Sequence, residues 1–127
     1  MNPEKVVFSF FIVMALTLNF GFFIGELENP DHHHVYELAA AIMVNLIATV
    51  LKFGDRSQVG AVLLSTSLVA DLQLIAAAIV WGIAAHVDVQ GVTPSVMSSI
   101  VSLTGGAMLA NVISVLLLVI ETTMLRR

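Results

Sequence analysis

The chain has 127 residues, of which 58% are hydrophobic and only 11% are charged, and its formal net charge is −4. Because a soluble domain carries about 25% charged residues, this composition predicts an integral membrane protein. The absence of cysteine excludes disulfides and thiol catalysis, and no basic cluster indicates binding of nucleic acid.

Four apolar segments are long enough to cross a bilayer as helices, which takes about 20 residues each. Ser57 is a candidate N-cap for the third segment, and Thr93 with Pro94 predicts the start of the fourth. The sequence predicts an all-α integral membrane protein, with residues 1–127 forming a single domain. The predicted spans cover about residues 5–25, 34–53, 58–85 and 94–123.

The basic residues predict the orientation of these spans. All five fall on one side of a four-span arrangement, and the other side has none. Cytoplasmic loops are enriched in Lys and Arg, so both termini and the turn at 53–57 are expected in the cytoplasm. A bias this strong argues against an antiparallel dimer and favours parallel copies. The five residues are Lys5, Lys52, Arg56, Arg126 and Arg127.

Two segments carry small residues at helical spacing, which favours close helix packing in membranes. In the first segment Gly21 and Gly25 are four residues apart. The fourth segment has a longer face of small residues, which is expected either to pack closely or to line a narrow polar conduit. The pair Gly105–Gly106 is a candidate kink or local break. The face comprises Ser95, Ser99, Ser102, Gly106, Ala110 and Ser114.

Asp71 is expected near the middle of the bilayer without a basic partner. The nearest residues of basic type along the chain, Arg56 and His86, are each 15 positions away. An acid at this depth costs at least about 2.5 kcal/mol and normally faces protein or a watery cavity. Asp71 is therefore either a neutral structural acid bonded to a residue such as Ser67, or an acid that binds a cation or proton.

Further polar residues of the spans are candidate members of the same ion pathway. Asn45 lies on a polar stripe of the second segment, Ser67 precedes Asp71 by one helical turn, and Asn111 borders the small-residue face. Each has an alternative interpretation as a residue that joins helices by hydrogen bonds.

Acidic residues and all four histidines gather on the side predicted to be outside. His33 and Glu37 are spaced four apart and form a weak candidate metal site. The cluster is otherwise interpreted as an acidic, pH-sensitive mouth that concentrates cations, or as a solvated surface. No cofactor is expected. The cluster comprises Glu26, Glu28, Asp31, His32, His33, His34, Glu37, His86 and Asp88.

Three stretches resemble an uncharacterised family of small four-helix bacterial inner-membrane proteins, a domain of unknown function. They read DHHHVYEL at 31–38, VNLIATVLKFGDR at 44–56 and SLVADLQL at 67–74. The resemblance implies a multi-pass protein of the bacterial inner (plasma) membrane, and it implies no activity and no catalytic residues.

Two functions are consistent with these patterns. The first is an oligomeric cation channel or ion-transport subunit, in which parallel copies place Asp71 at the bilayer midplane and pass a monovalent or divalent cation. The alternative is a non-conducting accessory or scaffold subunit of a larger membrane complex. No hydrolase, zinc-protease or phosphate-loop motif is present, so an enzyme is not expected.

Overall fold

The computed structural model describes residues 3–24, 35–55 and 57–125, and this part of the chain folds into four α-helices. Each helix is long and apolar enough to cross a membrane. The four helices are α1 (Pro3–Phe23), α2 (Val35–Lys52), α3 (Gln58–His86) and α4 (Pro94–Leu125).

The starts of α3 and α4 are fixed by side-chain caps. Ser57 has an extended backbone, and its hydroxyl accepts a hydrogen bond from the N–H of Gly60 at 2.9 Å. At α4, the hydroxyl of Thr93 accepts from the N–H of Val96 at 3.2 Å, and Pro94 is the first helical residue. Both caps satisfy backbone donors that a helix leaves unpaired at its first turn, as the sequence predicts.

The helices form a closed bundle in which each packs against its neighbours in the chain, and α1 also packs against α4. The apolar core consists of two clusters. One includes Phe8, Ile12 and Leu63, and the other includes Phe22 and Leu74.

Buried and half-buried polar side chains of α2, α3 and α4 lie where these two apolar clusters meet. Along α3, for example, Ser67 falls between Leu63 of one cluster and Ala70 of the other. We call this set the central polar layer. Its members are Asn45, Thr49, Thr66, Ser67, Asp71, Asn111 and Ser114.

Helix α4 departs from its predicted features in two respects. It continues from Pro94 to Leu125 through the glycine pair at 105–106, so no local break occurs there, and the kink stays a prediction. Its small residues do not form one buried face, because Ser95, Ser99 and Ser102 are exposed whereas Ala110 and Ser114 are buried. The face of small residues is therefore used for packing within the subunit only in the second half of α4.

Candidate ion-binding site

The carboxyl group of Asp71 lies in the central polar layer and is held by α2. The residue is 5% exposed and lies near the middle of α3. Its Oδ1 atom accepts a hydrogen bond of 2.5 Å from Asn45 Nδ2, and its Oδ2 atom lies 2.5 Å from the hydroxyl oxygen of Thr49. Both oxygens of the acid are thus engaged by neutral polar groups of the neighbouring helix.

Helix α2 presents these two partners together because they are separated by one helical turn. Residues four apart lie on the same face of an α-helix, and here that face is the buried one. Asn45 is anchored further, because its Nδ2 also donates to the backbone carbonyl of Ser67 at 3.2 Å. The Thr49 hydroxyl lies 2.9 Å from the carbonyl of Asn45, a common local contact for threonine in a helix.

No basic side chain pairs with Asp71 among the residues that the structure describes. The two ion pairs found there are at the end of the bundle that carries the 53–57 turn, which we call the basic end. Lys5 contacts Glu121 at 2.8 Å, and Lys52 contacts Asp55 at 3.3 Å. A negative charge on Asp71 would therefore be balanced only by the dipoles of its two neutral partners.

Ser67 is placed beside Asp71 in the layer, but the expected bond between their side chains is absent. Within the described chain the Ser67 hydroxyl has no hydrogen-bond partner, and only the backbone carbonyl of this residue contacts Asn45. A hydroxyl one turn before an acid on the same helix has a suitable position along the axis, but the carboxyl turns toward α2.

Asn111 is fully buried in α4, and the structure joins it to neither Asp71 nor Asn45. Its amide has no hydrogen-bond partner in the described residues. Ser114, one turn further along α4, shares a 2.5 Å hydrogen bond with Thr66 of α3. This bond places the segment that carries Asn111 next to the segment that carries Asp71.

Thr49 is the partner that sequence reasoning did not assign. The sequence places it on the polar stripe of the second segment, without a role. Its spacing of four from Asn45 was the available signal, because two polar residues on one face of a membrane helix are expected to reach the same neighbour.

A cleft of about 990 Å³ opens at the basic end of the bundle, and Lys52 lines it. The Lys52 side chain is nearly buried, and its Nζ lies 4.2 Å from the centre of the Phe8 ring, within range for a cation–π contact. Thr49 precedes Lys52 by three residues, which is roughly 4.5 Å along a helix axis. Lys52, which lines the cleft, is therefore about one helical turn along α2 from the partner of Asp71.

Asp55 anchors the turn at the mouth of this cleft. It accepts hydrogen bonds from the backbone N–H and the hydroxyl of Ser57, at 3.0 and 2.7 Å. These bonds hold the pKa of Asp55 below its usual value, chiefly through the backbone N–H and then the hydroxyl, and Lys52 contributes further.

Most of the acidic and histidine cluster lies outside the described residues, namely Glu26, Glu28, Asp31, His32, His33 and His34. Of its other members, Glu37 lies against Gly21 of α1, and His86 and Asp88 are exposed. Within the described chain no three residues of metal-binding type come together. The metal site at His33 and Glu37 stays a prediction.

Comparison with known protein families places the chain in one of them. Residues 32–122 match a family described as a family of unknown function, DUF6394. No curated protein and no solved structure gives a significant match. The matched region contains α2, α3 and nearly all of α4, including every residue of the central polar layer. The chain therefore belongs to the DUF6394 family.

Proposed function

We propose that this protein is an ion-transport protein of the membrane in which Asp71 binds the transported cation. The observation that carries the proposal is a buried acid whose carboxyl group, among the residues that the structure describes, forms hydrogen bonds only with the neutral side chains of Asn45 and Thr49. A buried charge without a counter-charge is strongly unfavourable, so a proton or another cation is needed to neutralise it. An acid of this kind has the property that a transport site needs, because its ligand carries the compensating charge.

The cleft at the basic end supports this proposal because it opens beside the part of α2 that carries a partner of Asp71. Its lining includes Lys52 of α2 and Phe8 of α1, which contact each other. Beyond them the next polar group along α2 is Thr49, which is bonded to Asp71. Lys52 at the cleft and Thr49 at the site are thus about one helical turn apart along α2.

The contacts of Asp71 favour a site within each subunit over a ring of acids around a shared axis. A ring would require carboxyl groups on the outer surface of the bundle, whereas this one points at α2 of its own chain. We therefore propose that parallel copies in a homo-oligomer each carry a separate site. The distribution of Lys and Arg supports cytoplasmic termini, which would open the cleft to the cytoplasm of a bacterial inner membrane.

The experiment is a flux assay with purified protein in liposomes. Uptake of protons, sodium, potassium and divalent cations is measured separately for the wild type and for Asp71→Asn. We expect flux of at least one cation, and loss of that flux in Asp71→Asn, because the amide cannot carry the charge that the ion neutralises.

Asp88→Asn is the matched control, because it makes the same chemical change at an exposed position outside the central polar layer. It should retain flux at a salt concentration that screens surface charge. Absence of flux for protons and for every cation tested would contradict transport and would favour the non-conducting accessory subunit. Equal loss in both variants would show that the effect does not depend on Asp71.

A further inference from the structure

The hydrogen bonds around Asp71 assign a fixed role to one of its two oxygens. An amide nitrogen has two hydrogens, and those of Asn45 face two acceptors, the Ser67 carbonyl at 3.2 Å and Asp71 Oδ1 at 2.5 Å. Both hydrogens are used, so Asn45 always donates to Oδ1. A proton bound by the acid must therefore be on Oδ2.

Oδ2 faces Thr49, whose hydroxyl has a single hydrogen and two neighbouring acceptors. The hydroxyl oxygen lies 2.5 Å from Asp71 Oδ2 and 2.9 Å from the carbonyl of Asn45. With one hydrogen, the hydroxyl can donate to only one of them. If it donates to Oδ2, the acid is a carboxylate; if it donates to the Asn45 carbonyl, the short contact to Oδ2 requires that the acid is protonated and donates to Thr49.

We propose that the cation bound at Asp71 is a proton on Oδ2 and that Thr49 is its positioning residue. When the proton binds, an O–H bond forms on Oδ2 and the Thr49 hydroxyl rotates its own hydrogen to the Asn45 carbonyl. When the proton leaves, the hydroxyl turns back to the carboxylate. Every hydrogen at Asn45 Nδ2, Thr49 Oγ1 and Asp71 Oδ2 has an acceptor in both states, so neither state leaves a buried donor unpaired. This inference rests on the proposed transport function and specifies the ion.

The same contacts disfavour a metal cation. A sodium, magnesium or calcium ion needs several oxygen ligands turned toward it. Here both hydrogens of the Asn45 amide are donated, one of them to Oδ1, and the positive end of this amide would repel such an ion. A proton neutralises the Asp71 carboxylate within the existing hydrogen bonds, so its binding requires no rearrangement of the helices.

The other titratable groups of the described helices lie toward the ends of the bundle, so a titration in its centre belongs to Asp71. These groups are Glu4 and Lys5 on α1, Tyr36, Glu37 and Lys52 on α2, His86 on α3 and Glu121 on α4, with Asp55 and Asp88 in the turns.

The test is infrared difference spectroscopy of the protein in lipid across a pH titration, which detects the C=O stretch of a protonated carboxyl group. We expect a band in the wild type that is absent in Asp71→Asn. In Thr49→Val, which has similar shape without the hydroxyl, the band should change frequency and its titration midpoint should move. Thr49→Ser keeps the hydroxyl and should restore both. An Asp71 band that is identical in Thr49→Val would overturn the role of Thr49.

Proton uptake and sodium or potassium uptake into liposomes are measured on the same four proteins. Asp71-dependent flux of sodium or potassium without any Asp71 band would contradict the proton assignment and leave the transport proposal standing. A Thr49-dependent Asp71 band without flux of any ion would support the proton assignment and contradict transport. Proton flux that is lost in Asp71→Asn and altered in Thr49→Val, but retained in Thr49→Ser, would support both.

Discussion

Asn45 and Asp71 are joined by a 2.5 Å hydrogen bond between Nδ2 and Oδ1, which links α2 to α3 within the central polar layer. The bond connects residues 26 positions apart and is accompanied by the contact from Thr49 to the other carboxyl oxygen. This pair of contacts gives a structural role to Asp71 that can be measured separately from transport.

Replacing Asp71 by Asn should preserve stability, because an amide can accept from Asn45 and donate to Thr49 as a protonated acid does. Asp71→Leu removes both contacts, and loss of a hydrogen bond between membrane helices costs typically about 0.6 kcal/mol and up to about 2 kcal/mol. In mild detergent, the midpoint of thermal unfolding of Asp71→Asn should therefore lie near that of the wild type, and that of Asp71→Leu should be lower. If the Leu variant is strongly destabilised while the Asn variant retains full ion flux, Asp71 is a structural acid and the transport site lies elsewhere.

The proposed orientation is testable by thiol labelling, because the chain has no cysteine of its own. Gly54→Cys adds a thiol at an exposed position between α2 and α3, where a new Cβ meets no atom within 4 Å, and Val89→Cys adds one at a fully exposed loop position. A membrane-impermeant maleimide should label Val89→Cys in intact cells and Gly54→Cys only after permeabilisation. The reverse pattern would place the termini outside the cell.

Gly105 tests the packing of α1 against α4. A Cβ at this position would lie 2.8 Å from the Phe23 ring, so Gly105→Ala should strain the interface and cost about 1–3 kcal/mol. Gly82→Ala is the matched control on α3, because its Cβ meets nothing within 4 Å and alanine is the better helix former by about 0.5–1 kcal/mol. The midpoint of thermal unfolding should be lowered by Gly105→Ala and not by Gly82→Ala. Adding Phe23→Leu to Gly105→Ala should partly restore the midpoint. Equal stability of the two alanine variants would argue against this contact.

The lowered pKa of Asp55 predicts a stability change at acid pH. A carboxyl group with a folded-state pKa below its unfolded value of 3.8 stabilises the fold fully above that value and loses the contribution as the pH falls through the folded-state pKa. The difference in thermal midpoint between wild type and Asp55→Asn should thus be constant near neutral pH and shrink below about pH 4. A constant difference for Asp55→Asn down to strongly acid pH would contradict the role of Ser57 as its donor.

Helix number and limits could be predicted from sequence because they depend on local properties. Apolar length set the four spans, and the caps at Ser57 and Thr93 follow from side chains that act on their own first turn. The structure extends α1 to Pro3 and α4 to Leu125, which changes the predicted limits by only two residues at each of those ends.

The pairing of the site could be predicted only in part, because it depends on how each helix is rotated. In an apolar helix the hydrophobic pattern does not distinguish a lipid-facing side from a protein-facing side. The polar residues do, and Asn45, Asp71 and Asn111 are all buried, as residues of a protein-facing surface should be. Which of them touch depends on the rotation and the axial position of each helix, so the sequence does not show that Thr49 contacts Asp71. The Asp71 carboxyl turns toward α2, so the possible bond with the Ser67 hydroxyl is not formed.

The bonds from Asn45 and Thr49 to Asp71 also have a consequence for biogenesis. During synthesis, α3 alone would enter the lipid with an unpaired acid near its centre, at a cost of at least about 2.5 kcal/mol. Helix α2 precedes it by a turn of only five residues, 53–57, and carries both partners. If α2 and α3 entered the bilayer together as a helical hairpin, the acid would be shielded before it met hydrocarbon. The chain order of these helices would thus let α2 supply the partners of the acid at the moment when α3 is inserted.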